Sequence, residues 1–212
     1  MTGTFQIVTV CTGNVCRSPS ASLLLEDGLR ALKDRVSIRS AGTGALVGNP
    51  MEANALACLP PELQERGKKH TAQQLVQNDL VSSDLILALD RGHRKRILAI
   101  NPRVKKKTFT LKEFARLVSV TSAGDLKAEL LGKPVGDTYS VLTTSVHAAR
   151  LSRNLVPVFT PVEEEDVVDP YQKEFAVFEQ SFNDIQTAVK EISEFFLRAI
   201  DAEPQVGANS ST

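Results

Sequence analysis

Eight consecutive residues, Cys11-Thr12-Gly13-Asn14-Val15-Cys16-Arg17-Ser18, set a thiol and a guanidinium around a glycine. Where such a stretch joins a strand to a helix N-terminus, its backbone N–H groups turn inward as an anion nest, and the helix dipole adds partial positive charge. Arg17 can then grip two equatorial oxygens of a tetrahedral oxyanion. The same field favours thiolate over thiol: a free cysteine titrates near ~8.5, and sites of this kind bring it to about 3.5–7.5. Cys11 is thus the candidate nucleophile toward a phosphorus held in line.

Cleaving a phosphate ester this way leaves an oxygen that needs a proton, even when it belongs to an aryl oxide whose conjugate acid titrates near ~10. The candidate acid is Asp169 in Asp169-Pro170-Tyr171, although Asp-Pro is also a common way to begin a helix. The nearby run Glu163-Glu164-Glu165-Asp166 is expected to disfavour ionisation of Asp169 and help it keep its proton. Other readings of the loop compete. Cys11 and Cys16 can be small core side chains, and a zinc pair would need a second Cys or His pair that the spacing does not offer. The G-x4-G-K-[ST] phosphate loop is absent, and Gly42, Gly44 and Gly48 miss the dinucleotide spacing by one residue.

The elements that must position these groups follow from periodicity. Phe5–Val10 is a β-branched run that reads as a strand. Ser18 as N-cap and Pro19 in the first helical position open a helix running to about Leu32. Val36–Arg39 reads as a second strand, closed by the turn Ala41–Gly44. A helix from Asn49-Pro50 is broken at Pro60-Pro61, Thr71 caps a short helix over Ala72–Gln77, and Asp84–Leu89 reads as a strand buried on both faces. A basic helix, Gly92–Ile100, ends at Asn101-Pro102, and Thr108–Thr110 is a fourth strand. The alternation implies an α/β fold of three layers: a four-stranded parallel sheet with helices on both faces and the phosphate-binding loop after the first strand.

Residues 111–168 read as a partly helical insertion on the surface of a single domain spanning 1–202. Leu111–Val118 and Asp137–Leu151 have helical character, and Gly124, Gly132, Pro134, Gly136, Pro157 and Pro161 interrupt them. Phe175, Phe178, Phe182, Ile185, Val189, Ile192 and Phe196 then form an apolar stripe expected to pack on the chain's own sheet rather than as a coiled-coil seam. The composition of 203–212 is that of a disordered tail.

Composition narrows the function classes. The chain has 212 residues, 25 Lys+Arg against 25 Asp+Glu and 42% apolar residues, with a pI near 6.8. A neutral chain excludes a globally basic nucleic-acid binder. Three cysteines exclude a disulfide framework and point to a reducing compartment. No apolar run approaches the ~18–20 residues that cross a bilayer, and MTGTFQIVTV lacks a basic leader segment, so a cytoplasmic protein is expected.

The sequence resembles the low-molecular-weight protein tyrosine phosphatase family through C-T-G-N-V-C-R-S-P (11–19), Ser40-Ala-Gly-Thr43, His70, Asp84-Leu-Ile-Leu with Asp90 and His93, and Asp169-Pro-Tyr171. The resemblance implies a two-step hydrolysis of phosphotyrosine through a cysteinyl-phosphate, without metal or cofactor. It makes Cys11 the nucleophile, Arg17 the oxyanion clamp and Asp169 the acid that later acts as base on water. Thr12, Gly13, Asn14, Val15, Cys16 and Ser18 then surround the phosphate, and Tyr171 grips the ring. Asn14, Ser18, Ser40 and His70 hold the loop in shape, and Ser18 also donates to the thiolate.

There are departures from the family pattern. Ser22 stands where an acidic residue is usual, Leu46-Val47 lack the expected aromatic wall, and Gln172 replaces a second aromatic. Thr108-Phe-Thr-Leu-Lys-Glu-Phe114 is similar to the bacterial branch that includes protein arginine phosphatases, whereas Val15 and Tyr171 point back to phosphotyrosine. Arsenate reductases share the fold but need further cysteines, and here Leu89, Asp90 and Arg91 occupy that region and Cys58 is the only other thiol. A phosphate-binding module without turnover is the non-enzymatic alternative, against which stand the intact Cys11, Arg17 and Asp169. Cys16 is either a reversible disulfide partner for Cys11 or a buried small side chain.

Arg91, Arg94, Lys95, Arg96, Arg103 and Lys105–Lys107 form a local basic cluster, read as solvated faces or as an attractor of acidic phosphopeptides. No aromatics interleave it, so no nucleic-acid partner is expected. His93 and His147 read as surface residues without metal-ligand spacing. The expected partners are phosphorylated proteins, not a membrane; the oligomeric state is open, with a monomer expected.

Overall fold

The computed structural model describes residues 3–131, 133, 136–155 and 162–202. Strands β1 (Phe5–Cys11), β2 (Val36–Gly42), β3 (Leu85–Ala88) and β4 (Thr108–Thr110) form one sheet in the order β2-β1-β3-β4, all pairs parallel. The described helices are α1 (Arg17–Gly28), α2 (Ala53–Ala57), α3 (Pro61–Gly67), α4 (Gln77–Ser82), α5 (Arg91–Ile100), α6 (Leu111–Val120), α7 (Ala123–Leu130), α8 (Thr138–Leu151) and α9 (Phe175–Asp201). The chain leaves β1 toward β2 and returns past it to β3. The carboxyl end of β1 therefore lies at the point where the winding reverses, and in open parallel sheets that crevice takes the ligand.

Alternation along the strands divides the core. Phe5, Ile7, Leu85, Leu87 and Phe109 face the layer holding α1, α6, α8 and α9, while Val8, Val10, Ile86 and Ala88 pack on Leu75, Leu80, Ile97 and Val104. The terminal stripe packs within its own chain: Phe178, Ile185, Val189, Ile192 and Phe196 are buried, each burial contributing about 1.5–3 kcal/mol, and Phe196 meets Phe5 edge-on at 5.7 Å between ring centroids. Phe175, at the helix start, stays exposed.

Four expectations change. Helix α1 starts at Arg17, with Cys16 in the capping position, so Ser18 is not its cap and its hydroxyl is free for the loop. Residues 72–76 are not helical: Gly42 N–H donates to the Gln73 carbonyl and Leu75 N–H to the Gly42 carbonyl, and these tertiary bonds override the local pattern. The helix expected from Asn49-Pro50 starts at Ala53, where the Glu52 carboxylate accepts from Asn54 and Ala55 N–H. Finally, the segment after β4 is helical as expected but not superficial. Phe114, Leu117, Val118, Val141, Leu142 and Ala149 are buried in the same core as the sheet. A Thr110–Glu113 capping box aims α6 straight onto α9. Gly132, Pro134, Pro157, Pro161 and 203–212 fall outside the described residues.

Candidate active site

The loop between β1 and α1 is turned inside out by its surroundings. Its carbonyls from Cys11 to Val15 all accept from outside: Thr43, Gly44, Leu46 and Glu52 N–H serve Cys11, Thr12, Gly13 and Val15 at 2.8–3.0 Å. His70 Nε2–H serves Asn14 at 2.7 Å. With the oxygens held outward, the amides face inward; Asn14 N–H points at Cys11 Sγ, 3.3 Å away. Ser18 Oγ lies 2.9 Å from the same sulfur. Asn14 makes the bend possible. It is fully buried with φ +57°, a region Asn tolerates better than most residues, and its amide donates to Ser18 and Ser40 Oγ while its Oδ1 accepts from Gln73 N–H. Burial lowers the His70 pKa, outweighing the opposite pull of its bond to the Asn14 carbonyl, so the ring is neutral when it donates.

Arg17, the first residue of α1, is 4% exposed and held on two sides. Its Nη1 donates to Asp90 Oδ2 and to the Val167 carbonyl, both at 3.1 Å, and its Nη2 stands 2.7 Å from Asp169 Oδ2. Asp90 is a fixed anion. Burial works against its charge, but the His93 side chain and backbone N–H and the Arg17 guanidinium outweigh that and bring its pKa down to about 2. Asp169, half-exposed, is delivered by a strap: Asp166 grips Arg91 through N, Nε and Nη2, and Val167 N–H bonds the Leu89 carbonyl. Two residues of the acidic run are therefore turned to other partners. Glu165 and Asp166 face Arg116 and Arg91, and the partner of Asp169 is Arg17.

One face of α5 lies along the loop. Asp90, the helix N-cap, meets Arg17; His93, three residues on, sets Nε2 at 2.8 Å from Thr12 Oγ1; and Arg96, three further, donates from Nη1 to Thr43 Oγ1 at 3.2 Å. His93 is 3% exposed, so it is not the surface residue its setting in a basic stretch implied. Its missed signal was this i, i+3, i+6 spacing after an Asp N-cap. Elsewhere in the cluster Arg91 and Arg94 are engaged, while Lys95, Arg103, Lys105 and Lys106 are exposed; His147 is half-exposed beside Glu129.

A cavity of about 140 Å³ opens over the sulfur, lined by Cys11, Thr12, Gly13, Val15, Cys16, Arg17, Gly44, Leu46, Asp169 and Tyr171. All of the sequence-derived site residues thus converge: these line the cavity, while Asn14, Ser18, Ser40 and His70 stand behind the loop. The wall is aliphatic at Leu46, and Tyr171 supplies an aromatic side. Cys11 and Cys16 are both free thiols. Burial, with Cys11, Glu52 and Asp169 adding to it, pushes the Cys16 pKa far up despite Arg17, so Cys16 stays protonated beside Cys11.

Residues 6–128 match the model of the family described as low molecular weight phosphotyrosine protein phosphatase, and Asp169 and Tyr171 lie beyond that match. A protein-arginine-phosphatase of Geobacillus stearothermophilus is 38% identical over 133 residues, 62% of this chain and 82% of that one. A probable low molecular weight protein-tyrosine-phosphatase, AmsI of Erwinia amylovora, is 38% identical over 102 residues, 48% of this chain and 67% of its own. Among solved structures, the crystal structure of the Erwinia amylovora tyrosine phosphatase AmsI superposes with TM-score 0.58 at 25% identity, covering 89% of this chain and 90% of that one. The YwlE arginine phosphatase from Geobacillus stearothermophilus does so with TM-score 0.58 at 26% identity, covering 90% and 91%.

Proposed function

Because this chain belongs to the low molecular weight phosphotyrosine protein phosphatase family, we propose that it is a protein phosphatase that hydrolyses phosphotyrosine through a cysteinyl-phosphate, with Cys11, Arg17 and Asp169 as its catalytic residues. The observation that carries this reading is the outward tethering of five successive carbonyls, Cys11 to Val15, which leaves an amide-lined cup over one sulfur. Preorganised donors aimed at where charge gathers stabilise a phosphoryl transition state without reorganising during the reaction.

In the first step Cys11 Sγ forms a bond to phosphorus as the ester P–O bond breaks, and Asp169 gives its proton to the departing oxygen. Arg17 and the loop amides hold the three equatorial oxygens. In the second step water attacks phosphorus, its proton passes to Asp169, and the S–P bond breaks to release phosphate. The aliphatic and aromatic walls at Val15, Leu46 and Tyr171 suit an aryl group. The substrates are phosphorylated proteins. Among the described residues no helix is long and apolar enough to cross a membrane, and the three free thiols accord with a cytoplasmic site of action.

The test is a hydrolysis panel of aryl phosphate and of phosphotyrosine, phosphoserine and phosphoarginine peptides, with Cys11→Ser alongside. Phosphotyrosine and aryl phosphate should turn over fastest, and Cys11→Ser should be inert. Turnover surviving in Cys11→Ser would end the mechanism, and a phosphoarginine peptide outpacing phosphotyrosine would reassign the substrate.

A further inference from the structure

His93 is the one imidazole buried against the loop's first carbonyl-tethered turn, and no step of the reaction uses it. Its Nε2 is 2.8 Å from Thr12 Oγ1, its Nδ1 is 3.0 Å from Asp90 Oδ2, and its own backbone N–H donates to Asp90 Oδ1 at 2.7 Å. Asp90 in turn binds Arg17 Nη1 at 3.1 Å. With the His93 Nδ1–Asp90 step a close approach at ion-pair distance rather than an aligned hydrogen bond, the contacts close a ring, Thr12–His93–Asp90–Arg17, that joins the residue after the nucleophile to the guanidinium at the far end of the same loop. The whole ring hangs on the first turn of α5.

We propose that His93 is a positioning residue for phosphoryl transfer: a strut that couples the Thr12 end of the oxyanion cup to the carboxylate orienting Arg17. The proposal rests on the reading of this loop as the catalytic cup. Its physical content is mechanical and electrostatic. With Thr12 Oγ1 bound to the ring, the Thr12 backbone cannot rotate without dragging His93. With His93 seated, Asp90 keeps one oxygen on Arg17 while Asp169 is free to leave that arginine for the departing group. Sub-ångström drift at either end would spoil in-line geometry, and a misplacement of ~1 Å can cost about 10²-fold in rate. A strut of this kind acts in the transition state, so its loss falls mainly on kcat rather than KM.

The experiment is a double-mutant cycle between His93→Phe, which keeps a planar ring but removes both nitrogens, and Thr12→Val, with Thr12→Ser as the conservative variant. Two readouts are taken on the full chain: kcat and KM with an aryl phosphate, and the dissociation constant of orthovanadate by calorimetry. Each single variant should lower kcat about tenfold, and the double variant should be no slower than the slower single one. In wild type, Ser at position 12 should outperform Val; in the His93→Phe background that difference should vanish. Losses that multiply, or a Ser-to-Val difference that persists without the imidazole, would overturn the strut while leaving the phosphatase reading intact. If His93→Phe does not fold, His93→Gln, able to reach either partner but not to bridge both rigidly, takes its place in the cycle. Should the wild type fail to hydrolyse any phosphate ester, the catalytic reading falls, and the vanadate cycle alone then decides the coupling.

Discussion

Arg17 and Asp169 meet at 2.7 Å at the cavity mouth, Nη2 against Oδ2, although one opens the first helix and the other precedes the last. The structure thus holds the Asp169 carboxylate on the Arg17 guanidinium. An incoming phosphate competes for the same guanidinium face and, in taking it, releases the Asp169 carboxyl beside the leaving oxygen. On the proposed mechanism the freed carboxylate takes a proton from the monoanionic ester or from solvent before it serves as the acid, while Asp90 keeps its bond to Arg17.

Asp169→Asn separates the two roles of that carboxylate. Turnover of phosphotyrosine, whose oxygen leaves poorly, should fall by roughly 10²–10³, and turnover of an aryl ester with an acidic phenol by much less. Removing a negative charge from beside Arg17 should also tighten inorganic phosphate, read as a several-fold lower competitive inhibition constant. Equal losses on both esters would displace Asp169 as the acid, and unchanged phosphate inhibition would refute the exchange.

Asp90→Asn should expose the acid limb of stability. The carboxyl pKa falls from 3.8 to about 2 on folding because His93 and Arg17 overcome burial. A lowered folded-state pKa stabilises above the unfolded value and is lost as pH falls through the folded one. The wild type should therefore exceed Asp90→Asn by about 2 kcal/mol at pH 5–7, with the gap closing between about pH 4 and pH 2. Denaturant melts at pH 7, 4 and 2.5 measure it, and a gap independent of pH would show that the charge is not what holds Arg17.

Gly42→Ala tests the wall behind the loop. A methyl group there would stand 2.4 Å from the Thr12 carbonyl oxygen and 2.9 Å from Ala45 Cβ, and since the nearest atom is backbone the loop must shift. A displaced Thr12 should lower kcat/KM by about 10–100-fold. Gly124→Ala on α7, whose nearest neighbour would be Ser122 Oγ at an ordinary 3.5 Å, should leave activity unchanged. Comparable rates for the two variants would mean that the cup tolerates movement at Thr12.

The strands, the loop and the terminal helix are legible because their signals are local: β-branched runs, a thiol and a guanidinium at fixed spacing, and an apolar stripe at spacings of three and four. What escaped depends on contacts far apart in sequence. Residues 72–76 have helical composition, but Gly42 takes their backbone bonds as an edge. His93 sits in a basic stretch that reads as solvated, and only the docking of α5 against Thr12 buries it. The acidic run near Asp169 reads as a local field, but Arg91 and Arg116, from other elements, hold the charges of Asp166 and Glu165. The helical segment after β4 was visible, yet only tertiary packing shows Phe114 and Val141 as core.

Arg96 carries a prediction about substrate choice. It is exposed, and its Nη1 donates to Thr43 Oγ1, next in sequence to Gly44, which lines the cavity. Lys95 beside it is exposed as well, whereas Arg91 is bound to Asp166. A phosphotyrosine peptide carrying Asp or Glu next to the phosphorylated residue should gain from this charge, and Arg96→Glu should cost it several-fold in kcat/KM at low salt while sparing a small aryl phosphate more. Surface charges of this kind act over about 10 Å at 0.1 M salt and fade above it. The peptide-specific penalty should therefore shrink as sodium chloride is raised from 20 to about 500 mM. A penalty equal for peptide and aryl phosphate, or one insensitive to salt, would place Arg96 in support of Thr43 rather than in recognition of the peptide.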